Sequence, residues 1–425
     1  MSDLQKAFAK AHLSRLPPEA PLIFDERDEE EDDSVPEVPP PASPNDSSSS
    51  TSSTGTVVPS PSKHLFERPN STRSRSGPLS WQDFFGQELF FDRQAGPLTI
   101  RHHAYLTPPS LSGPLIVTHH GAGSSGLSFA AFTSEILKLL PNAGVLSLDA
   151  RGHGYTTTSV SGQNAESAED LTLATLAQDL AFIVESVKDR LNWPKMPDII
   201  LIGHSLGGAV VTEVAHQRLL GDSVLGYGVL DVVEGSAMDA LQSMESYLLT
   251  RPRSFPSLAS GIEWHTRSRT IRNTTSARVS VPPLLVESEN HQQWLWRTDL
   301  AATKPFWEGW FLGLSKKFLE SRGGKLLLLA GTDRLDKELT IGQMQGESPN
   351  WFFISLQFRL ALTCPGKYQL QVFPEAGHFV HEDQPAKTAQ VVADFYKRND
   401  RSTLVLPPKV DDLIKQGKLK PGTIK

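Results

Sequence analysis

The stretch that most constrains this chain runs from Asp198 to Ala209 and reads D-I-I-L-I-G-H-S-L-G-G-A. A short apolar run, Ile199 to Ile202, breaks into Gly203-His204-Ser205-Leu206-Gly207, after which small and β-branched residues continue as a helix. The pattern is strand, sharp turn, helix. In that setting Gly-x-Ser-x-Gly forms a nucleophile elbow, whose turn strains the serine backbone and lifts the hydroxyl above the sheet edge. The glycines two residues to either side leave room for the strand and helix. Ser205 is therefore the candidate nucleophile. A serine on a glycine-rich turn without chemistry has the same local pattern, so the flanking chain must decide.

Leu115 to Thr118 is a second apolar strand, and it ends in His119-His120-Gly121-Ala122-Gly123. His-Gly-x-Gly after a strand points a backbone N–H at a developing oxyanion, with a second N–H supplied by the residue after the nucleophile. Ala122 and Leu206 are the candidates. Gly144 to Asp149 is the next strand, leading into Ala150-Arg151-Gly152-His153-Gly154, where Arg151 and His153 are read as a structural connector. Leu171 to Leu191 has helical spacing. The hairpin Glu88–Phe91 and Leu98–Tyr105 precedes all of these.

After the elbow, Leu225 to Val233 is a strand that delivers Asp231, and Lys325 to Ala330 is another that delivers Asp333. Tyr368 to Phe373 is the last strand, followed by Pro374-Glu375-Ala376-Gly377-His378-Phe379. The expected fold class is α/β, an α/β-hydrolase fold with a mostly parallel doubly wound sheet. Its general base follows the last strand, and the chain order is Ser, Asp, His. His378 is the candidate base. His381 is assigned a capping or surface role before the final helix, Ala386 to Lys397. The spacing leaves the acid open, because Asp231 and Asp333 satisfy the same order. Met238 to Ser321 has the position of a cap insertion and holds five of the eight tryptophans: Trp264, Trp294, Trp296, Trp307 and Trp310. Such a cluster lines a substrate groove or packs the cap onto the core.

Composition bounds the remainder. Residues 1–76 carry an acidic run (Asp25 to Asp33), a proline-rich run (Pro36 to Pro44) and a serine and threonine tract (Ser47 to Thr56), so a mostly disordered segment is expected there. The domain is expected over 77–399, followed by a flexible tail, 400–425. A net charge of −7 gives no basic field for nucleic acid. Cys364 is the single cysteine, so no intrachain disulfide forms. No run approaches the ~18 apolar residues of a membrane span, and no signal-peptide pattern opens the chain. A cytoplasmic location is expected, with the nucleus as a second one left open, since Arg73-Ser74-Arg75 is too short to read as a nuclear signal.

Longer strings carry a family resemblance. Asp231-Val232-Val233-Glu234-Gly235-Ser236-Ala237-Met238-Asp239-Ala240-Leu241, Ile262-Glu263-Trp264, Ile271-Arg272-Asn273, Ser276-Ala277-Arg278-Val279-Ser280, Leu329-Ala330-Gly331-Thr332-Asp333-Arg334-Leu335-Asp336-Lys337 and Thr340-Ile341-Gly342-Gln343-Met344-Gln345-Gly346 resemble the protein phosphatase methylesterases. The resemblance covers roughly Trp81 to Arg398. It implies a serine carboxylesterase that removes the methyl ester from the C-terminal leucine of the type-2A protein phosphatase catalytic subunit, bound with its scaffold subunit, and that needs no metal or cofactor. The triad it implies is Ser205, Asp231 and His378, with Gln343, Met344, Gln345, Trp264 and Arg334 as substrate-binding candidates. A phosphatase-binding regulator with lost catalysis and a generic small-ester hydrolase are the competing functions.

Two stretches depart from the resemblance. The family's longer acidic loop is reduced here to Val286 to Gln293. Glu347 to Gly366, apolar and aromatic, stands where the family passes directly to the last strand. This segment is unlike a solvated loop insertion. We read it as translated intron and expect mass spectrometry of the native protein to find no peptide spanning Phe352 to Arg359. Detection of that peptide would overturn the reading.

Overall fold

The computed structural model describes residues 77–110, 112–160, 169–331, 334–345 and 368–403, without the side chains of 343–345. The expectations for 1–76, Asp333, 347–366 and most of the tail lie outside these residues. The described chain builds a nine-stranded sheet from β1 (Gln87–Ala95), β2 (Leu98–Thr107), β3 (Leu115–His119), β4 (Gly144–Asp149), β5 (Thr157–Val160), β6 (Ile199–His204), β7 (Val224–Leu230), and two later strands. Between β7 and those strands lie β8 (Ser254–Phe255), β9 (Leu285–Glu287) and β10 (Trp294–Trp296), which form a separate small sheet. The large sheet is completed by β11 (Gly324–Leu329) and β12 (Gln369–Val372).

Its order is β1-β2-β4-β3-β6-β7-β11-β12, with β5 pairing to β2. From β4 to β12 neighbouring strands are parallel; β1, β2 and β5 form an antiparallel margin, and β2 joins it to β4. The central strands are continuous apolar runs because both faces are covered. Along β6, Ile199 and Leu201 face one layer and Ile200 and Ile202 the other, the period of two of a pleated strand. The first layer packs on the helices Leu173–Arg190 and Leu206–Gln217, through Leu180, Ile183, Val210 and Val214. The second packs on Ala130–Leu139 and Pro385–Asn399, through Phe132, Ile136, Val392 and Phe395. Each such side chain contributes about 1.5–3 kcal/mol when fully buried.

The chain leaves β3 for β4 on one side and reaches β6 on the other. Their carboxyl ends therefore open a crevice where the strand order reverses, the usual ligand position of such sheets. Gly121 and Ser205 stand at its two lips.

The cap begins at the helix Glu234–Thr250 and includes the small sheet β8-β10-β9. Its tryptophans are packed. Trp264, Trp294 and Trp296 lie on a cluster of Phe255, Ile262, Ile271 and Leu285. Trp307 and Trp310 are buried in the main core, and the Trp310 indole N–H donates to Leu171 O at 2.7 Å. The short stretch expected as a reduced loop is a hairpin turn between β9 and β10, closed by Ser288 N–H to Gln293 O at 2.8 Å. No described helix is long and apolar enough to cross a membrane.

Candidate active site

Ser205 occupies the turn between β6 and the helix Leu206–Gln217 with φ 51° and ψ −120°. This is a strained conformation for a residue with a Cβ. Its backbone N–H donates to Leu230 O at 3.0 Å, which ties the elbow to the end of β7. The flanking glycines are required by space: a Cβ on Gly203 would lie 2.0 Å from Gly207 O, and one on Gly207 would lie 2.1 Å from His119 O. The His-Gly-x-Gly loop comes equally close. A Cβ on Gly121 would stand 2.9 Å from His204 Nδ1 and 3.1 Å from the Ser205 Cβ.

Ala122 and Leu206 therefore flank the serine from two elements. Leu206 is the first helical residue, where an N–H has no intrahelical acceptor. Among the described residues neither the Leu206 nor the Ala122 N–H donates to a protein acceptor. The loop itself is held by buried histidines. His153 Nε2 accepts from Gly123 N–H at 2.9 Å, and His120 Nε2 accepts from Ala150 N–H at 2.9 Å. Arg151 forks onto Asp179 with two bonds of 2.8 Å. The connector reading of Arg151 and His153 thus acquires a task, the bracing of the loop that carries Ala122.

Asp231 and His378 are brought together from strand ends far apart in sequence. β7 stops at Leu230, short of the expected Val233, because Asp231 turns out of the strand at φ 55° and donates its N–H to Leu328 O at 2.7 Å. Its carboxylate is buried. Oδ1 accepts from Ala330 N–H at 2.8 Å, while Oδ2 takes both His378 Nδ1 at 2.8 Å and Arg334 Nη1. Burial alone would raise this carboxyl, but the bond and charge from His378, the Arg334 cation and the Ala330 N–H outweigh it and hold it below the usual range. Asp231 is thus an anion at neutral pH.

His204, the variable residue inside Gly-x-Ser-x-Gly, has a role that sequence spacing does not announce. It is buried, and burial followed by the neighbouring His378 pushes its imidazole down to about 3, so it is neutral. A carbonyl only accepts, so the contact of 2.9 Å between His204 Nε2 and His378 O fixes the proton on Nε2. The elbow thereby grips the backbone of His378. A second grip comes from the cap: Arg272 Nη1 donates to Glu375 O at 2.6 Å, and Asp383 accepts from the Arg272 and Gly377 N–H groups, each at 2.7 Å.

Of the capping or surface role expected for His381, the surface alternative does not hold. Its ring is buried, stacked on Phe129 with centroids 4.2 Å apart, and Nε2 lies 3.2 Å from Ser128 Oγ. A one-turn helix, Val380–Asp383, folds it inward before the final helix starts at Pro385. Among the substrate-binding candidates, Trp264 packs edge-on to His265 and Trp296, and Arg334 lies on Asp231 with 31% of its side chain exposed. Gln343, Met344 and Gln345 end the helix Lys337–Gln345.

Residues 116–391 match the model of the alpha/beta hydrolase family. A protein phosphatase methylesterase 1 of Aspergillus fumigatus is 60% identical over 97% of this chain and 93% of its own length. The Neurospora crassa protein of that name is 54% identical, over 98% of this chain and 100% of its own, and that of Schizosaccharomyces pombe is 44% identical over 78% and 87%. Among solved structures, E-2-(acetamidomethylene)succinate hydrolase superposes with a TM-score of 0.52 at 19% identity, covering 73% of this chain and 100% of its own. That likeness speaks for the fold alone.

Proposed function

This chain belongs to the protein phosphatase methylesterase family of α/β-hydrolases, and from that premise we propose that it removes the methyl ester from the C-terminal leucine of the type-2A protein phosphatase catalytic subunit, docked with its scaffold subunit. The chain is a serine ester hydrolase. The observation that carries the finer reading is the meeting, at one crevice, of the strained Ser205 elbow, the Gly121 loop and a hydrogen-bonded His378–Asp231 pair.

In this mechanism Ser205 Oγ attacks the ester carbonyl while His378 Nε2 takes the hydroxyl proton. The charge on the carbonyl oxygen is met by the Ala122 and Leu206 N–H groups, donors fixed before the reaction begins. Collapse of the tetrahedral species breaks the bond to the methoxy oxygen, which leaves as methanol with the proton from His378. The acyl-enzyme is then attacked by water, His378 again accepting and returning a proton, and the free carboxylate is released. Asp231 holds Nδ1–H of His378, so that Nε2 is the free, basic nitrogen. Gln343, Met344 and Gln345 are proposed to receive the peptide tail.

Incubation with the carboxyl-methylated phosphatase core dimer is expected to release methanol in step with the appearance of free C-terminal leucine. Rapid cleavage of short nitrophenyl esters with no action on the methylated phosphatase would assign a generic small-ester hydrolase instead.

A further inference from the structure

The acid of this site is shared. Asp231 Oδ2 accepts from His378 Nδ1 at 2.8 Å and from Arg334 Nη1 at 2.5 Å, and the two donors lie 3.5 Å apart. A guanidinium has no acceptor, and the proton on Nδ1 points at Asp231, so Arg334 and His378 do not bond to each other. Their proximity sets a fixed cation beside a group that must become a cation during each proton transfer. We propose that Arg334 is a positioning residue of the reaction centre, which steadies the Asp231 carboxylate and, by its charge, opposes protonation of the His378 ring. The inference rests on the triad reading given above.

The other groups facing His378 do not supply an equivalent charge. His204 lies with its ring centroid 4.6 Å from that of His378, and His381 lies 4.6 Å beyond, on His204. Both are buried, and burial pushes both imidazoles well below their ordinary value, so they are neutral where the enzyme works. Phe379 contributes a T-shaped ring contact at 5.5 Å. Among the described residues, the charges in contact with His378 are therefore Asp231 and Arg334, of opposite sign. Asp231 also keeps an anchor that does not depend on Arg334, the bond from Ala330 N–H to Oδ1 at 2.8 Å.

The two contributions separate experimentally. Arg334→Gln removes the charge and leaves Asp231 anchored, whereas Arg334→Lys keeps a charge and loses the planar fork. The acidic limb of the kcat/KM profile reports the essential base of the free enzyme. A cation disfavours a second cation nearby, so its removal shifts that limb to higher pH. The experiment measures hydrolysis of a short nitrophenyl ester from pH 5 to 9 by the wild-type chain, Arg334→Gln, Arg334→Lys and Ser205→Ala, with thermal melts to verify folding. An upward shift in Arg334→Gln, with Arg334→Lys close to wild type, is expected. An unmoved limb, a downward shift, or equal shifts in both variants overturns the proposal, and so does a lower kcat without a shift. Should Arg334→Gln fail to fold, a displaced limb in Arg334→Lys overturns it as well. Loss of ester turnover in Ser205→Ala keeps the triad reading distinct, since its failure there would remove the premise rather than the charge effect.

Discussion

Ser205→Ala is expected to abolish ester hydrolysis, with kcat falling on the order of 10⁵-fold to 10⁶-fold, the scale seen when a catalytic serine is removed from a serine hydrolase. The change should leave the fold alone. The strained φ of 51° is imposed by β6, by the helix Leu206–Gln217 and by the bond to Leu230 O, none of which involves the hydroxyl. Alanine retains the Cβ that sits 3.1 Å from the position of a Cβ on Gly121, so the packing of the two loops is unchanged. Methylated phosphatase should then bind the variant and keep its ester, which methanol release and a pull-down of the core dimer measure together. Turnover within tenfold of wild type would remove Ser205 from the mechanism. Inhibition of the phosphatase by stoichiometric binding, undiminished in the variant, would favour a regulator whose catalysis is secondary.

The parts of this molecule that were legible in sequence are those whose chemistry is local. A sharp strand-to-helix turn needs glycine at fixed offsets, so Gly203 and Gly207 announce the elbow, and the same holds for Gly121 in the loop opposite. The succession of strands and helices follows from apolar runs and helical spacing, which is why β3, β4, β6 and β7 stand close to where the pattern puts them. What remained open was tertiary. Asp231 and Asp333 satisfy the same chain order, and the meeting of Asp231 with His378 depends on the backbone turn at φ 55° and the bond to Leu328, neither of which has a sequence signature. His204 occupies a variable position of the motif, and its grip on His378 O joins residues 174 positions apart. His381 looked like a surface residue because the polar string Val380-His381-Glu382-Asp383 hides how deeply it is folded in. There Glu382 is also fully buried, raised by burial to about 8, with Oε2 accepting from Ser280 Oγ at 2.6 Å.

Asp231→Asn should cost about 10⁴-fold in kcat, the scale found when the acid of a serine protease triad becomes its amide. The reason lies in the donors around this side chain. Oδ1 receives Ala330 N–H and Oδ2 receives both His378 Nδ1–H and Arg334. An amide in that place has one oxygen and one NH₂. If the oxygen stays on Ala330, the NH₂ faces His378 and forces its proton from Nδ1 to Nε2, so the nitrogen proposed to take the Ser205 proton can no longer accept. If the amide flips, the NH₂ meets the Ala330 N–H and leaves a buried donor unpaired. The first arrangement also leaves Arg334 without an acceptor, and both leave its cation without a counter-charge. The wild-type carboxylate is held below its usual range, so the stability it contributes is present above the unfolded value near 4 and is lost only as pH falls through the lower folded one. The variant lacks this contribution throughout neutral pH. Its melting temperature should therefore fall at pH 7 and approach that of wild type on acidification, while its activity stays low at every pH. Near-normal turnover in Asp231→Asn would exclude Asp231 as the acid and return the assignment to Asp333.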